Sequence, residues 1–325
     1  MQNKQDFMKT KPVFPLLLSM AAPMVLSMLI QSLYNIVDSI FVARLGTEAL
    51  TAVSLVYPLQ NIVLSLSVGV GVGINSVIAR KLGEQKPEEA NKAASIGMGL
   101  TFLHCILIIL FGLLATRPFL SIFTSDEQTL QWACRYSYIV LCFSAGSLIH
   151  ICFEKIFQSV GAMFLTMISL LVGCITNIIL DPILIFGLDM GVQGAALATV
   201  ISQGLSAAWV MKFLTGKKAI LRLSKRAMHL EWKLVKEIIF LGTSGFVMSV
   251  TNGLVQIVCN ATLQRYGGDI YVGIMTVINS VREIVTMPVT GLTAASQPVI
   301  GYNYGAGCYQ RVKSAIRFTA VGCIV

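Results

Sequence analysis

Long uncharged apolar runs alternate along this chain with short polar stretches. The runs cover residues 12–37, 49–79, 93–116, 136–153, 156–180, 190–211 and 238–264. An eighth, 270–301, is interrupted by Arg282 and Glu283, and a ninth begins near Val312. A bilayer core takes about 20 apolar residues of helix, so the first eight runs each predict a transmembrane helix. The polar stretches alternate in charge. The N-terminal tail carries Lys4, Lys9 and Lys11. Arg80, Lys81, Lys86 and Lys92 follow the second run, and Lys155 follows the fourth. Lys212, Lys217, Lys218, Arg222, Lys225, Arg226, Lys233 and Lys236 follow the sixth, and Arg311, Lys313 and Arg317 follow the eighth. The opposite set holds only Arg44, Arg117, Arg135 and Arg265. Basic loops stay in the cytoplasm, so the pattern predicts a multi-pass protein of the plasma membrane with a cytoplasmic N-terminus.

Composition narrows the class. Hydrophobic residues make up 55% of the 325 residues and charged ones 12%, against about 25% charged in soluble domains. Mean hydropathy is +0.77. These values exclude a disordered chain and an ordinary cytosolic enzyme. The net charge of +9 belongs to the loops and is no sign of a nucleic-acid partner; the bilayer is the expected partner. The eight cysteines form no CxxC pair, so neither a disulfide nor a zinc framework is expected. The apolar run starting near Val13 is too long for a signal-peptide core.

Shifting the chain on itself by 222 positions pairs Ser27 with Ser249, Gly46 with Gly268, Gly69 with Gly291 and Gly83 with Gly305. The glycines weigh most, because they mark turns and close helix contacts. Both copies run in the same direction, as in transporters built from parallel repeats. The predicted plan is all-α: a six-helix first lobe over 1–214, a basic linker over 215–236, and the beginning of a second six-helix lobe over 237–325. Two full copies of this repeat would need about 440 residues, so the chain reads as ending early in its second lobe.

Acids inside spans are costly, about 2.5–3.5 kcal/mol at the centre of a helix, and functional by default. In the first span Gln31, Asn35 and Asp38 share one helix face, with Tyr34 on a neighbouring line. In the fifth span Asn177 and Asp181 stack four residues apart, and Pro182 removes a helix hydrogen bond beside the acid. Thr199 and Gln203 share a face of the sixth span. Carboxylate, amide and hydroxyl oxygens together suit Na⁺ or H⁺. The competing reading is that Asp38 and Asp181 cap loops at the outer ends of their helices. The seventh span carries Asn252, Gln256 and Asn260 at four-residue steps, and Asn260 is the repeat partner of Asp38. Arg282 and Glu283 map onto Gln60 and Asn61. These residues read as cavity lining or as bonds between helices. No nucleophile–base cluster marks an enzyme.

Three segments resemble one family. Asn35-Ile-Val-Asp38-Ser-Ile-Phe-Val-Ala-Arg-Leu-Gly46 is similar to the first-helix signature of the multidrug and toxic compound extrusion (MATE) transporters, and Asn177-Ile-Ile-Leu-Asp181-Pro182 to their fifth-helix motif. Gln297-Pro298-Val-Ile-Gly301-Tyr302-Asn303-Tyr304-Gly305-Ala306 resembles the motif closing their eighth helix, and is the most specific of the three. The resemblance runs in order through the whole chain. It implies two six-helix lobes around a V-shaped cavity, and export of cationic or amphipathic drugs against H⁺ or Na⁺ by a monomer, with no other cofactor. It also implies a cation site in the first lobe made by Asp38, Asn177, Asp181 and Thr199, with Tyr34 and Tyr136 as polar neighbours. Some members place an acid on the seventh helix, where this chain has Gln256. Two alternatives are a lipid-linked oligosaccharide flippase of the same superfamily and a non-transporting receptor or scaffold. A flippase would favour a basic cavity for its anionic cargo, and a scaffold would have no use for inward-facing acids.

Overall fold

The computed structural model describes residues 7–124, 126–215, 221 and 231–324. Among these the elements are helices: α1 (Phe7–Thr10), α2 (Val13–Ala43), α3 (Thr47–Gly83), α4 (Pro87–Leu120), α5 (Glu127–Cys142), α6 (Ala145–Ser159), α7 (Met163–Pro182), a π turn (Ile183–Gly187), α8 (Gly191–Thr215), α9 (Trp232–Gly305) and α10 (Tyr309–Ile324). Among the described residues six helices are long and apolar enough to cross a membrane, and the α5–α6 pair, bent by 48°, makes a seventh when taken as one span. Leu103, Ile106, Leu107, Leu110 and Leu114 lie exposed along α4, a face that only lipid would favour. Most of the predicted basic linker, residues 216–220 and 222–230, lies outside the described residues.

Local chemistry sets the helix ends. Pro87 opens α4 at a position where its missing N–H costs nothing, and Glu88 and Glu89 follow in the first turn. Asp126 caps α5 by accepting from the Thr129 N–H at 2.7 Å. Gly46, at φ +118°, supplies the reversal from α2 to α3 that a side chain would strain. The fourth span differs from its apolar run. It begins at Glu127, bends between Cys142 and Ala145, and continues through Glu154 and Lys155 to Ser159. Lys155 is therefore a helix residue, where the run pattern puts it in a loop.

The second lobe meets the first along α3. Helical hydrogen bonding in α9 is continuous over 74 residues, about 110 Å if straight. Yet Glu237, near its start, pairs with the Arg80 guanidinium, and Gly305, at its end, lies against the Arg80 carbonyl. The chain therefore doubles back within α9 into two antiparallel arms, as the two separate apolar runs predict. Gly73 of α3 receives the Ile238 backbone from the first arm, and Gly83 receives the Tyr302 carbonyl from the second.

These contacts obey the repeat. The Asn75 Nδ2 donates to Gln297 Oε1 at 3.4 Å, and the two residues are 222 positions apart. Ala79 touches Gly301, its repeat mate, and the Gly83–Tyr302 contact is matched by the reciprocal one between Gly305 and Arg80. Contacts that recur with the partners exchanged are the mark of a two-fold relation, so the internal repeat is structural, with its axis beside Asn75 and Gln297. Away from this end α9 leaves α3: Leu254, Val258, Ile284 and Val285 are exposed. The lobes meet at the Arg80 end and part toward the other.

A charge network fastens the Arg80 end. Glu84 lies 3.4 Å from Arg80, 3.5 Å from Lys81 and 3.2 Å from Lys86, and Lys81 reaches Glu89 at 2.6 Å. Partial burial pushes the Glu84 carboxyl up, but the hydrogen bond from Lys86 and the charges of Lys81, Lys86 and Arg80 outweigh it and hold the group below the ordinary carboxylate range. A group lowered on folding stabilises the fold above its unfolded value of 4.5, and that contribution fades as pH falls through the lowered value. The melting temperature of Glu84→Gln is accordingly expected to lie below the parent's by a constant margin from pH 7 to pH 5. Thermal melts in detergent should show that margin shrinking only in more acidic buffer.

Candidate cation site

Five helices of the first lobe bring the site together. Asp38 lies little more than one turn before the end of α2. Asn177 and Asp181 occupy the last turns of α7, and Thr199 faces them from α8. Asp181, Asn177 and Thr199 are buried, with 0%, 1% and 6% of their surfaces exposed. The Asp38 and Asp181 carboxyls stand within hydrogen-bond reach of each other. The Asn177 amide satisfies both of its neighbours in one orientation: Nδ2 donates to Asp181 Oδ2 at 2.8 Å, and Oδ1 accepts from the Thr199 N–H at 3.2 Å. The Tyr34 hydroxyl faces Thr199, and that of buried Tyr136, from α5, meets Gln60 of α3.

The backbone after Asp181 explains its position. Pro182 has no N–H to return to the helix. The next turn widens, and the Leu188 N–H reaches back five residues to the Ile183 carbonyl at 2.9 Å. Such π turns often mark functional sites. The start of α8 closes on this turn because Gly194 has no side chain; a Cβ there would lie 2.7 Å from the Leu184 carbonyl. Thr199 is thereby brought beside Asn177. Asp181-Pro182 is thus not a simple helix stop, since the span continues as far as Gly187.

One carboxyl oxygen on each acid, Asp38 Oδ1 and Asp181 Oδ1, is buried without a hydrogen-bond partner. Two facing carboxylates repel, and a buried unpaired oxygen is costly. A proton or a small hard cation between them relieves both penalties, and the hydroxyl oxygens of Thr199 and Tyr34 stand close by.

The other candidate residues fall elsewhere. Asn35 is exposed on α2 and stays out of the buried group, and Gln203 is half-buried on α8. Gln256, Arg282 and Glu283 are exposed on the arms of α9, and the side chain of Asn260 lies outside the described residues. Gln60 is the polar neighbour that the face-by-face reading of the site did not include. In the sequence it stands out as part of the polar pair Gln60-Asn61 within an apolar run and as the repeat counterpart of Arg282.

A helical membrane protein with a two-fold repeat and buried acids in its first lobe has the build of a secondary transporter. The family model described as MatE matches residues 23–183 and 245–324, and the chain belongs to that family of transporters. Multidrug export protein MepA of Staphylococcus saprophyticus is 26% identical over 322 residues, covering 98% of this chain and 70% of that protein. A crystal structure of MATE in complex with MaL6 superposes with a TM-score of 0.93 at 25% identity, covering 98% of this chain and 71% of that one. The outward-facing conformation of a multidrug resistance MATE family transporter of the MOP superfamily gives a TM-score of 0.92 at 24% identity, over 98% and 70% of the two chains. The 325 residues are thus fewer than those of these relatives.

Proposed function

We propose that the protein exports cationic or amphipathic drugs by antiport with H⁺ or Na⁺, coupled at Asp38 and Asp181. The observation that carries this reading is the pair of facing carboxyls, each with an unpartnered buried oxygen. The relatives' names, multidrug export protein among them, support drugs as the cargo. The coupling ion acts through differential burial: its binding relieves more charge repulsion in whichever lobe arrangement seals the pair more completely, so it biases the equilibrium between arrangements. Asn177 and Thr199 hold the acids in register, and the widened turn after Pro182 lets α7 flex as the site opens and closes. The protein works as a monomer with its N-terminus in the cytoplasm. The basic Arg80 end, where the lobes meet, then faces inward, and the cleft opens outward. Dye efflux driven by imposed ion gradients tests the coupling.

Orientation has its own test. Lys86 is exposed in the α3–α4 loop. In a background without the eight native cysteines, Lys86→Cys is expected to resist an impermeant maleimide in intact cells and to react in inside-out vesicles. Labelling in intact cells would reverse the topology.

A further inference from the structure

The α5–α6 span carries charged groups that the Asp38–Asp181 pair does not use. Glu154, Lys155 and Gln158 form one cluster on α6. The Gln158 side chain, fully buried, donates Nε2 to Glu154 Oε1 at 2.7 Å and accepts at Oε1 from Lys155 Nζ at 3.0 Å. Lys155 Nζ also reaches Glu154 Oε1 at 3.4 Å.

Protein surrounds this cluster. The Lys155 stem lies on Gly71 of α3, where a Cβ would come within 2.7 Å of its Cγ. Gln158 Nε2 is 3.8 Å from the Met24 sulfur of α2. One turn back along α6, His150 Nε2 is 3.2 Å from Ser169 Oγ of α7. The end of α6 is covered as well: Ser159 and Val160 are buried, and Phe7 and Met8 lie over Gly161. The Glu154 and Lys155 side chains nevertheless keep 17% and 15% of their surface exposed. With helices α2, α3 and α7 packed against the cluster, part of its charged surface thus stays uncovered. An ion pair in such a place recovers its desolvation cost poorly, so packing alone gives little reason for it.

We infer that Glu154 is the carboxylate of a binding site for organic cations, in which Lys155 is the resident counter-ion that a cationic ligand displaces. The inference rests on the export reading and adds the atom that meets the charge of the cargo. Gln158 keeps hold of Glu154 when Lys155 leaves, and the flexible lysine stem can swing aside. The Met24 thioether offers a soft wall to the apolar part of a ligand. Ser169, level with His150, lies about three turns, roughly 18 Å, from Asp181 along α7. Cargo and coupling ion therefore occupy separate places and need not compete for one carboxylate.

Equilibrium binding to the purified full chain tests this, with ethidium as the cationic probe and Nile red as the neutral one. Glu154→Gln is expected to weaken ethidium binding about tenfold or more, the loss of one charge-assisted contact, and to leave Nile red unchanged. Lys155→Met is expected to tighten ethidium binding severalfold, because the internal competitor is gone, again with Nile red unchanged. Melts followed by circular dichroism establish that each variant is folded. Should Glu154→Gln fail to fold, Lys155→Met decides alone: parental or weaker ethidium binding by that folded variant would overturn the site. Ethidium binding by the parent, matched by both variants, would remove the Glu154 site and leave the export reading standing. A parent that binds neither probe would remove the export reading itself.

Discussion

Cells that produce Asp181→Asn are expected to accumulate ethidium as fully as cells without the protein. Asparagine keeps the shape of the buried side chain, so packing against Asn177 and Thr199 survives. What it removes is the charge that a proton or Na⁺ would neutralise. With one carboxylate left, the repulsion that ion binding relieves is gone, and with it the bias between lobe arrangements. Asp38→Asn acts in the same direction, because the two carboxyls work as a pair. Thr199→Ala is expected to be milder. It removes a single neutral hydrogen-bonding group, worth about 1 kcal/mol, and other oxygens remain around the pair. Intracellular dye at steady state, compared at equal protein levels in the membrane, measures all three. Accumulation by Asp181→Asn cells as low as in the parent would separate the acid from transport.

The second large effect lies on the two-fold seam. A Cβ at Gly83 would fall on the Tyr302 carbonyl, and one at Gly305 on the Arg80 carbonyl. Both obstacles are backbone, so neither can turn aside. Gly83→Ala or Gly305→Ala must push α3 and the second arm of α9 apart, at a cost of about 1–3 kcal/mol each. The same movement disturbs the Asn75–Gln297 pair and the Arg80–Glu237 ion pair. Gly253, also on α9, has no atom within 4 Å of the place its Cβ would take. Gly253→Ala is expected to be neutral or slightly stabilising, since alanine favours a helix by about 1 kcal/mol over glycine. Melting temperatures of the three variants give the comparison. Equal melting temperatures would mean that the lobes do not bear on each other at these glycines.

Much of this architecture is legible in the residues. Apolar runs locate the spans, because a bilayer demands length and hydrophobicity above all else. The 222-residue shift is visible in Gly69 and Gly83 with their mates, where close packing permits no side chain. Asn75 and Gln297 sit at the same offset and touch, yet a comparison by identity passes over them because the two side chains differ. The spacing of Asn177 and Asp181 shows that they share a face, but only the fold shows that this face meets Asp38. Gln60 reaches the site through Tyr136, a contact between α3 and α5 that no local pattern encodes. Glu154 and Lys155 are misplaced by the run pattern for a physical reason. An adjacent acid and base look like a loop in sequence, whereas in the fold Gln158 joins them and α6 carries them into the lobe. The wide turn after Pro182 is half legible: proline announces the lost hydrogen bond, and the chain continuing as a π turn depends on Gly194 making room.

The most direct test of coupling at the Asp38–Asp181 pair is efflux of a cationic dye from vesicles holding the purified protein, with H⁺ and Na⁺ gradients imposed in turn. The parent is expected to export faster when one of these gradients is imposed, and Asp38→Asn and Asp181→Asn are expected to show no response to either. Export by both asparagine variants at the parental, gradient-driven rate would contradict coupling at the first-lobe pair and move the search to Arg282 and Glu283.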